Sequence, residues 1–241
     1  MKKIVLLVAM IVTIASCSKV KKGEYLITGI AKGIADGKMI ILSGQTDTGL
    51  QIAVDTVKVK GGKFEIKGKV NEPKIYTIAI EGLQQPIPIV LETGEIDITV
   101  DKDSIWKSKI GGTYNNDQFN SFNTKTNAIV KKKMAFQNAN MQKGMQAQQA
   151  NDTVTMNKLN KEFNVLQEEE NKFIENYPKE NPKSFLSVLI LGNMFKSPKF
   201  NLEDVKKTFN NFDESVKNTK PGKELAAKLK SIDKANTEKK K

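Results

Sequence analysis

The chain has 241 residues, no histidine, no arginine and one cysteine, Cys17, and its formal net charge is +12. Histidine and thiolate supply the usual ligands of zinc, haem and iron–sulfur sites, and histidine is also the commonest general base. The composition therefore predicts no metal site, no cofactor and no disulfide. Because arginine is the side chain that best recognises phosphate and guanine, its absence also argues against nucleic-acid binding.

The first 17 residues have the pattern of an export signal that ends in a lipidation site. Lys2 and Lys3 precede an apolar run over residues 4–14, which is too short for a membrane-spanning helix of about 20 residues. Ile14-Ala15-Ser16-Cys17 resembles the bacterial lipobox. The resemblance implies cleavage before Cys17, diacylglycerol on its sulfur and an acylated amino terminus, and two or more acyl chains hold a protein stably on a bilayer. The alternative is an ordinary secretion signal with an incidental cysteine.

Residues 1–16 are thus predicted to be a signal peptide and residues 17–23 a lipidated linker. Ser18 resembles the pattern for sorting to the outer membrane, and the run from Ser18 to Lys22 is basic rather than acidic. We therefore expect the periplasmic face of the outer membrane. Cleavage leaves 225 residues with a charge near +10. This excess reflects either a lysine-rich proteome or attraction to anionic headgroups and envelope polymers, which salt would weaken.

Residues 24–113 are predicted to form an antiparallel β domain. Apolar residues alternate with charged ones, as in Phe64-Glu65-Ile66-Lys67, and this period of two gives a strand one buried and one wet face. Asp36-Gly37 between apolar runs predicts a hairpin, and the prolines in 86–91 predict an edge strand or a bulge. Short connections favour pairing of sequential strands. The predicted strands cover residues 24–34, 38–43, 51–60, 63–70, 76–80, 86–91, 95–101 and 105–112.

Residues 114–232 are predicted to be helical. Two long helices, the second capped by Asp152 and stopped by Pro178 and Pro182, form an antiparallel hairpin with modest coiled-coil character. Residues 137–149 form its tip, where Met141 and Met145 are either weakly packed or a soft docking surface. A buried helix over 185–195, a helix capped by Asn201 and a last helix opened by Pro221-Gly222 follow. Residues 233–241 are predicted to be a disordered, lysine-rich tail.

The predicted fold class is therefore α+β. An antiparallel β-sandwich or open barrel of about eight strands precedes an all-α region with a long helical hairpin. The strands and helices explain how the chain buries a core, but this pattern by itself indicates no reaction.

A set of turn glycines and partly buried residues resembles a known family. That family is the N-terminal domain of unknown function found in Bacteroidota lipoproteins, usually ahead of a thioredoxin-like module. The resemblance covers residues from about 24 to 230 and implies a fold rather than an activity, since the family has no agreed catalytic residues. It rests on Gly29, Ala35-Asp36-Gly37, Asp55, Val57, Gly62-Lys63-Phe64, Gly68, Pro73, Tyr76, Glu92, Gly94, Gly111-Gly112 and Asn181-Pro182-Lys183-Ser184.

The chain differs from that family where the resemblance implies a thioredoxin fold with Trp-Cys-x-x-Cys. The sequence ends at Lys241 without such a motif. We therefore expect no redox activity in this polypeptide, which at most acts beside a separate thioredoxin-like protein.

Four functions remain open from the sequence. The first is a non-catalytic binding or scaffold lipoprotein, and the second is an accessory protein that docks a thioredoxin-like oxidoreductase in trans. The third is an enzyme with paired carboxylates, as in glycoside hydrolysis, drawn from Glu81, Glu92, Glu95, Asp97 and Asp101. The fourth is a sandwich that binds lipid or glycan on Trp106, Tyr76 and Tyr114. We favour the first, and only Cys17 is assigned as a site.

Overall fold

The structure, a computed structural model, describes residues 20–46, 48–196 and 201–238, with the backbone alone for 234–238. It consists of a β-rich N-terminal part and an all-helical C-terminal part, as the predicted α+β class requires. No helix within the described ranges is both long and apolar enough to cross a bilayer. The predicted signal peptide and Cys17 lie outside these ranges.

Eight strands form two four-stranded sheets in the described part of the chain. The first sheet has the order β4-β1-β7-β8 and the second has the order β3-β2-β5-β6. Neighbouring strands are antiparallel except β1 and β7, which are parallel. This is a sandwich and not a closed barrel. The strands are β1 (Glu24–Ile30), β2 (Met39–Gln45), β3 (Gln51–Lys58), β4 (Lys63–Lys69), β5 (Lys74–Ile80), β6 (Ile87–Leu91), β7 (Gly94–Thr99) and β8 (Lys109–Gly111).

Three strand predictions need correction. The turn at Asp36-Gly37 is tight, with a positive φ of 88° at Gly37, but β1 and β2 belong to opposite sheets and form no hairpin. Sequential pairing holds for β2–β3, β5–β6 and β7–β8 and fails for the other connections. A tight turn sets the change in chain direction, whereas the sheet that a strand joins depends on where its apolar face is buried. Ile105–Lys107, predicted as strand, forms a 3₁₀ turn before β8.

The two turns that cross between the sheets are bonded to each other. Gly37 N–H donates to the carbonyl of Val59 at 2.9 Å, and Ala31 N–H donates to that of Gly62 at 2.8 Å. These bonds satisfy backbone groups that a hairpin ladder would otherwise pair. The crossings therefore close one end of the sandwich and bring the end of β3 beside the start of β4.

Glycines and aromatic rings face one another across neighbouring strands in the core. Gly29 is in register with Phe64, and Gly68 is in register with Tyr25. A Cβ at either glycine would overlap the partner's ring, and one at Gly44 would lie 2.6 Å from the ring of Tyr76. Rings that lie over strand glycines are a known means of fixing register. Gly29, Phe64, Gly68 and Tyr76 are among the residues on which the family resemblance rests. Their packing in the core gives each of them a structural role.

The helical hairpin is confirmed. Helices α1 and α2 are antiparallel neighbours joined at residues 150–152, and the Asp152 carboxylate accepts from Thr155 N–H at 3.0 Å as the predicted cap. Phe122 stacks on Phe173 with ring centroids 5.3 Å apart. The helices are α1 (Tyr114–Gln149), α2 (Thr153–Glu180), α3 (Phe185–Met194), α4 (Leu202–Asn210), α5 (Glu214–Lys217) and α6 (Lys220–Glu238).

The remaining helices follow the sequence pattern closely. Helix α3 is buried, as its continuous apolar run predicts, and the Asn201 side chain caps α4 by accepting from Glu203 N–H at 2.9 Å. The short α5 is not among the predicted elements. Helix α6 extends to Glu238 and overlaps the range 233–241 that was predicted as a disordered tail.

A buried asparagine joins the helices to the second sheet. Asn116 is fully buried, and its amide oxygen accepts from Val90 N–H at 2.9 Å while its amide nitrogen donates to the Val90 carbonyl at 2.7 Å. The side chain thus bonds the outward groups of β6 as a neighbouring strand would. Val90 itself packs into the helical core with Phe185 and Leu191. The two parts of the chain therefore share a continuous interior.

The substitutions Gly29→Ala and Gly192→Ala are expected to change the free energy of unfolding in opposite directions. Gly29→Ala forces a methyl group into the Phe64 ring and should lower the free energy of unfolding by about 1–3 kcal/mol. Gly192→Ala has no atom within 4 Å of the new methyl group and should raise it by up to about 1 kcal/mol, since alanine favours a helix. Urea denaturation measures both. A Gly29→Ala protein as stable as the wild type would contradict the ring-over-glycine account.

Candidate functional site

The five carboxylates suggested by the sequence do not meet at one site. Glu81 accepts from Lys38 Nζ and from Met39 N–H, each at 3.0 Å, and the pKa of Glu81 is lowered first by the bond from Met39 and then by Lys38. Glu92 accepts from the backbone N–H of Asn115 at 2.9 Å and from its side-chain amide at 2.6 Å. Both carboxylates therefore hold neighbouring elements in place.

The other three carboxylates lie on the first sheet and just after it. Asp97 accepts from Thr28 Oγ1 at 2.7 Å, and Asp101 accepts from Ser104 N–H at 2.8 Å within a turn. Glu95 lines a cleft of about 490 Å³ on the outer face of the first sheet, whereas Glu92 lines a separate cleft of about 330 Å³. Glu95 and Asp97 lie two residues apart on the outer face of β7, and Thr28, which bonds Asp97, lines the same cleft as Glu95. The other three carboxylates lie elsewhere, so the structure does not bring the five together at one site.

The aromatic candidates are also on separate elements. Tyr76 is half-buried and packs against Gly44. Trp106 is 53% exposed, and the Nζ atoms of Lys107 and Lys131 lie 5.1 and 5.4 Å from its ring centroid. Tyr114 is exposed at the start of α1, and its pKa is raised by burial of the hydroxyl and then by Asp213. They do not form one stacking platform.

Three of the four sheet edges are protected. The edge of β6 is bonded by Asn116, and β8 packs against α1, with Gly112 N–H donating to Asp117 at 3.2 Å. The remaining edge of the first sheet, β4, carries alternating charged residues, which discourage pairing with another strand. These are Lys63, Glu65, Lys67 and Lys69.

The fourth edge, β3, is uncovered, and its first half has exposed apolar residues and no charge. Among the described residues β3 pairs only with β2, and six of its eight residues are exposed. Leu50, which precedes it, is 68% exposed, Ile52 is 48% exposed and Val54 is 47% exposed. An edge strand that is long, apolar and unpaired on one side is a template for another strand. We call Leu50 together with β3 the open edge, and it is the candidate functional site.

The charges of the open edge are few and lie toward its end. Asp55 is half-buried and faces the core near Tyr25, whose pKa is raised first by burial, then by Asp55 and then by Tyr76. Lys58 ends the strand and is exposed. The register with β2 shifts between Leu42 and Ser43, where Val54 is the extra residue of β3. Such a bulge bends the strand locally, and β3 has exposed residues on both sides of it.

The open edge is not among the sites predicted from the sequence. Its signal is the absence of a charge from residues 48–54, in a chain whose other edge strand β4 has a charge at every second position. That contrast identifies an unprotected edge only after the strand order is known. Cys17, the one residue assigned as a site from the sequence, is outside the described residues.

A second exposed apolar surface lies on the helical hairpin. Met141 is 65% exposed and Met145 is 55% exposed, so most of each side chain is in contact with solvent. Both interpretations of the tip, weak packing and a soft docking surface, are compatible with this exposure.

Comparison with known proteins identifies one family in the N-terminal part. Residues 25–119 match the family model described as a domain of unknown function (DUF4369), a range that covers both sheets and the first turn of α1. Neither the comparison with curated proteins nor that with solved structures found a match. A domain of unknown function is therefore confirmed over these residues. The lipoprotein character, the Bacteroidota source and the association with thioredoxin stay predictions.

Proposed function

We propose that this protein is a non-catalytic lipoprotein of the cell envelope that binds a partner protein at the open edge. Cys17 anchors it to the periplasmic face of the outer membrane, and the sandwich displays β3 to an extended segment of the partner. The segment adds to the second sheet as a further strand, with backbone hydrogen bonds supplying affinity and the exposed side chains supplying selectivity.

One observation carries the proposal. Within the described residues, three sheet edges are covered or have a charge at every second position, whereas β3 is uncovered and has no charge from Gln51 to Val54. Natural sheets protect their edges because an unprotected edge invites aggregation. An unprotected edge in an otherwise protected sandwich therefore supports a binding role for that edge. The separate structural bonds of the candidate carboxylates support a binding role over a catalytic one.

The anchor is tested at the cysteine. Cys17→Ala should abolish labelling by a palmitate probe and move the protein from the membrane fraction to the soluble fraction, because no acyl chain is attached. Ser16→Ala keeps a small residue before the cysteine and should behave as the wild type. Membrane association and labelling that persist in Cys17→Ala would contradict the lipoprotein assignment. Digestion by protease added to intact cells would contradict the periplasmic orientation.

The open edge is tested by photo-crosslinking in cells. A photoreactive residue at Val54 should form an adduct with an envelope protein through an extended segment of that protein. Adding Ile52→Lys in the same chain should abolish the adduct, because a charge on an edge strand opposes pairing. Val165 is 61% exposed on the hairpin, and the photoreactive residue placed there is the matched control. Adducts of equal yield from both positions, or none from Val54, would contradict the proposal.

The second candidate is an accessory role beside a separate thioredoxin-like protein. The matched domain, which resembles one that usually precedes such a module, and the exposed methionines of the hairpin favour it. A gene for a thioredoxin-like protein in the same operon would support this role. Unchanged reduction of periplasmic disulfides in a strain that lacks the protein would exclude it.

A further inference from the structure

A basic cleft lies where the open edge ends. Its volume is about 510 Å³. Lys58 and Lys60 border it on one side, and Lys63 borders it at the start of β4. Ile30, which is 50% exposed, and the buried ring of Phe64 supply apolar surface within it. The cleft therefore combines apolar contact with positive charge at the end of the strand.

None of the three lysines of the cleft forms a salt bridge among the described residues, although the charge of Lys58 contributes to the lowered pKa of Glu81. Some lysines elsewhere on the sandwich do form one: Lys38 pairs with Glu81 at 3.0 Å, and Lys67 pairs with Glu65 at 2.6 Å. Glu65 is the one carboxylate that lines the cleft, and its bond to Lys67 reduces its effect on the lysines there. The cleft thus keeps a net positive charge.

The cleft lies at the end of β3, the strand to which the proposed partner segment adds. Lys58 is the last residue of β3, and the cleft continues past it to Lys60 and Lys63. A strand that pairs with β3 along its whole length has one of its ends beside these lysines, whether it runs parallel or antiparallel to β3. Opposite charges across such a contact favour association and set the register of the partner.

We propose that the partner segment is acidic at the end that passes Lys58 and apolar along β3. This inference rests on the proposed function, since it assumes that β3 accepts a strand. The apolar part contacts Ile52 and Val54, and carboxylates of the segment occupy the cleft beside Lys60 and Lys63. The partner is thus an extended protein segment of alternating apolar residues with a carboxylate-rich flank.

Two synthetic peptides test the partner's chemistry. One alternates valine and threonine and has glutamates at both ends, and its twin has lysines in place of the glutamates. In an NMR titration of the ¹⁵N-labelled protein, the glutamate peptide should shift the amides of β3 and of residues 58–65, and it should bind more weakly as salt rises. The lysine peptide should bind at least about tenfold more weakly, because it places like charges together.

Variants distinguish this inference from the proposed function. Lys60→Glu with Lys63→Glu should lower the affinity for the glutamate peptide about tenfold or more, as expected when a charge pair becomes repulsive. Lys223→Glu with Lys230→Glu, on α6, makes the same change in net charge and should leave it unaltered. Equal binding of both peptides, or full binding by the cleft variant, overturns the acidic partner and leaves strand addition standing. Peptides that shift no β3 amide overturn both.

Discussion

The side-chain amide of Asn116 takes the place of a neighbouring strand at the edge of β6. Its two bonds to Val90 satisfy a donor and an acceptor that would otherwise be buried without partners, at a cost of about 1–3 kcal/mol each. Because this edge is satisfied by a side chain, α1 and α3 can pack directly against the sheet and share one core with it. The same requirement, that edge groups find partners, is met by α1 at β8, whereas no other element of the described residues meets it on the outer side of β3.

This asymmetry organises the molecule. The helices occupy the side of the sandwich where β6 and β8 lie, and the crossing turns bring β3 and β4 together on the other side. One free edge has a charge at every second position, whereas the other has none from Leu50 to Val54, so the second is better suited to an incoming strand. A lipid anchor at Cys17 would hold this sandwich at a membrane and so restrict the open edge to partners in the cell envelope.

The sequence was informative about elements and less so about their arrangement. The alternation in β4 and the 3-4 spacing of the hairpin predicted strands and helices well. The spacing of apolar residues along the chain follows directly from the geometry of an element that buries one face. The turn at Gly37 predicted a reversal but not the sheet that β2 joins, since that depends on packing with distant residues. The role of Asn116 lacked any signal, because an asparagine that bonds a strand is indistinguishable from a surface asparagine until the strand order is known. Cys17 is the converse case, a candidate known from sequence alone.

Site-resolved amide hydrogen exchange tests the account most directly. The Val90 N–H points away from its sheet and bonds the Asn116 side chain. Every second N–H of β3 also points away from its sheet, but none of these bonds another element within the described residues, and that of Thr56 bonds only the adjacent Asp55 carboxylate, at 2.7 Å. The account predicts slow exchange at Val90 and fast exchange at those alternate amides of β3 in the isolated protein. Exchange at Val90 as fast as at the open edge, or alternate β3 amides as protected as those of β2, would contradict it.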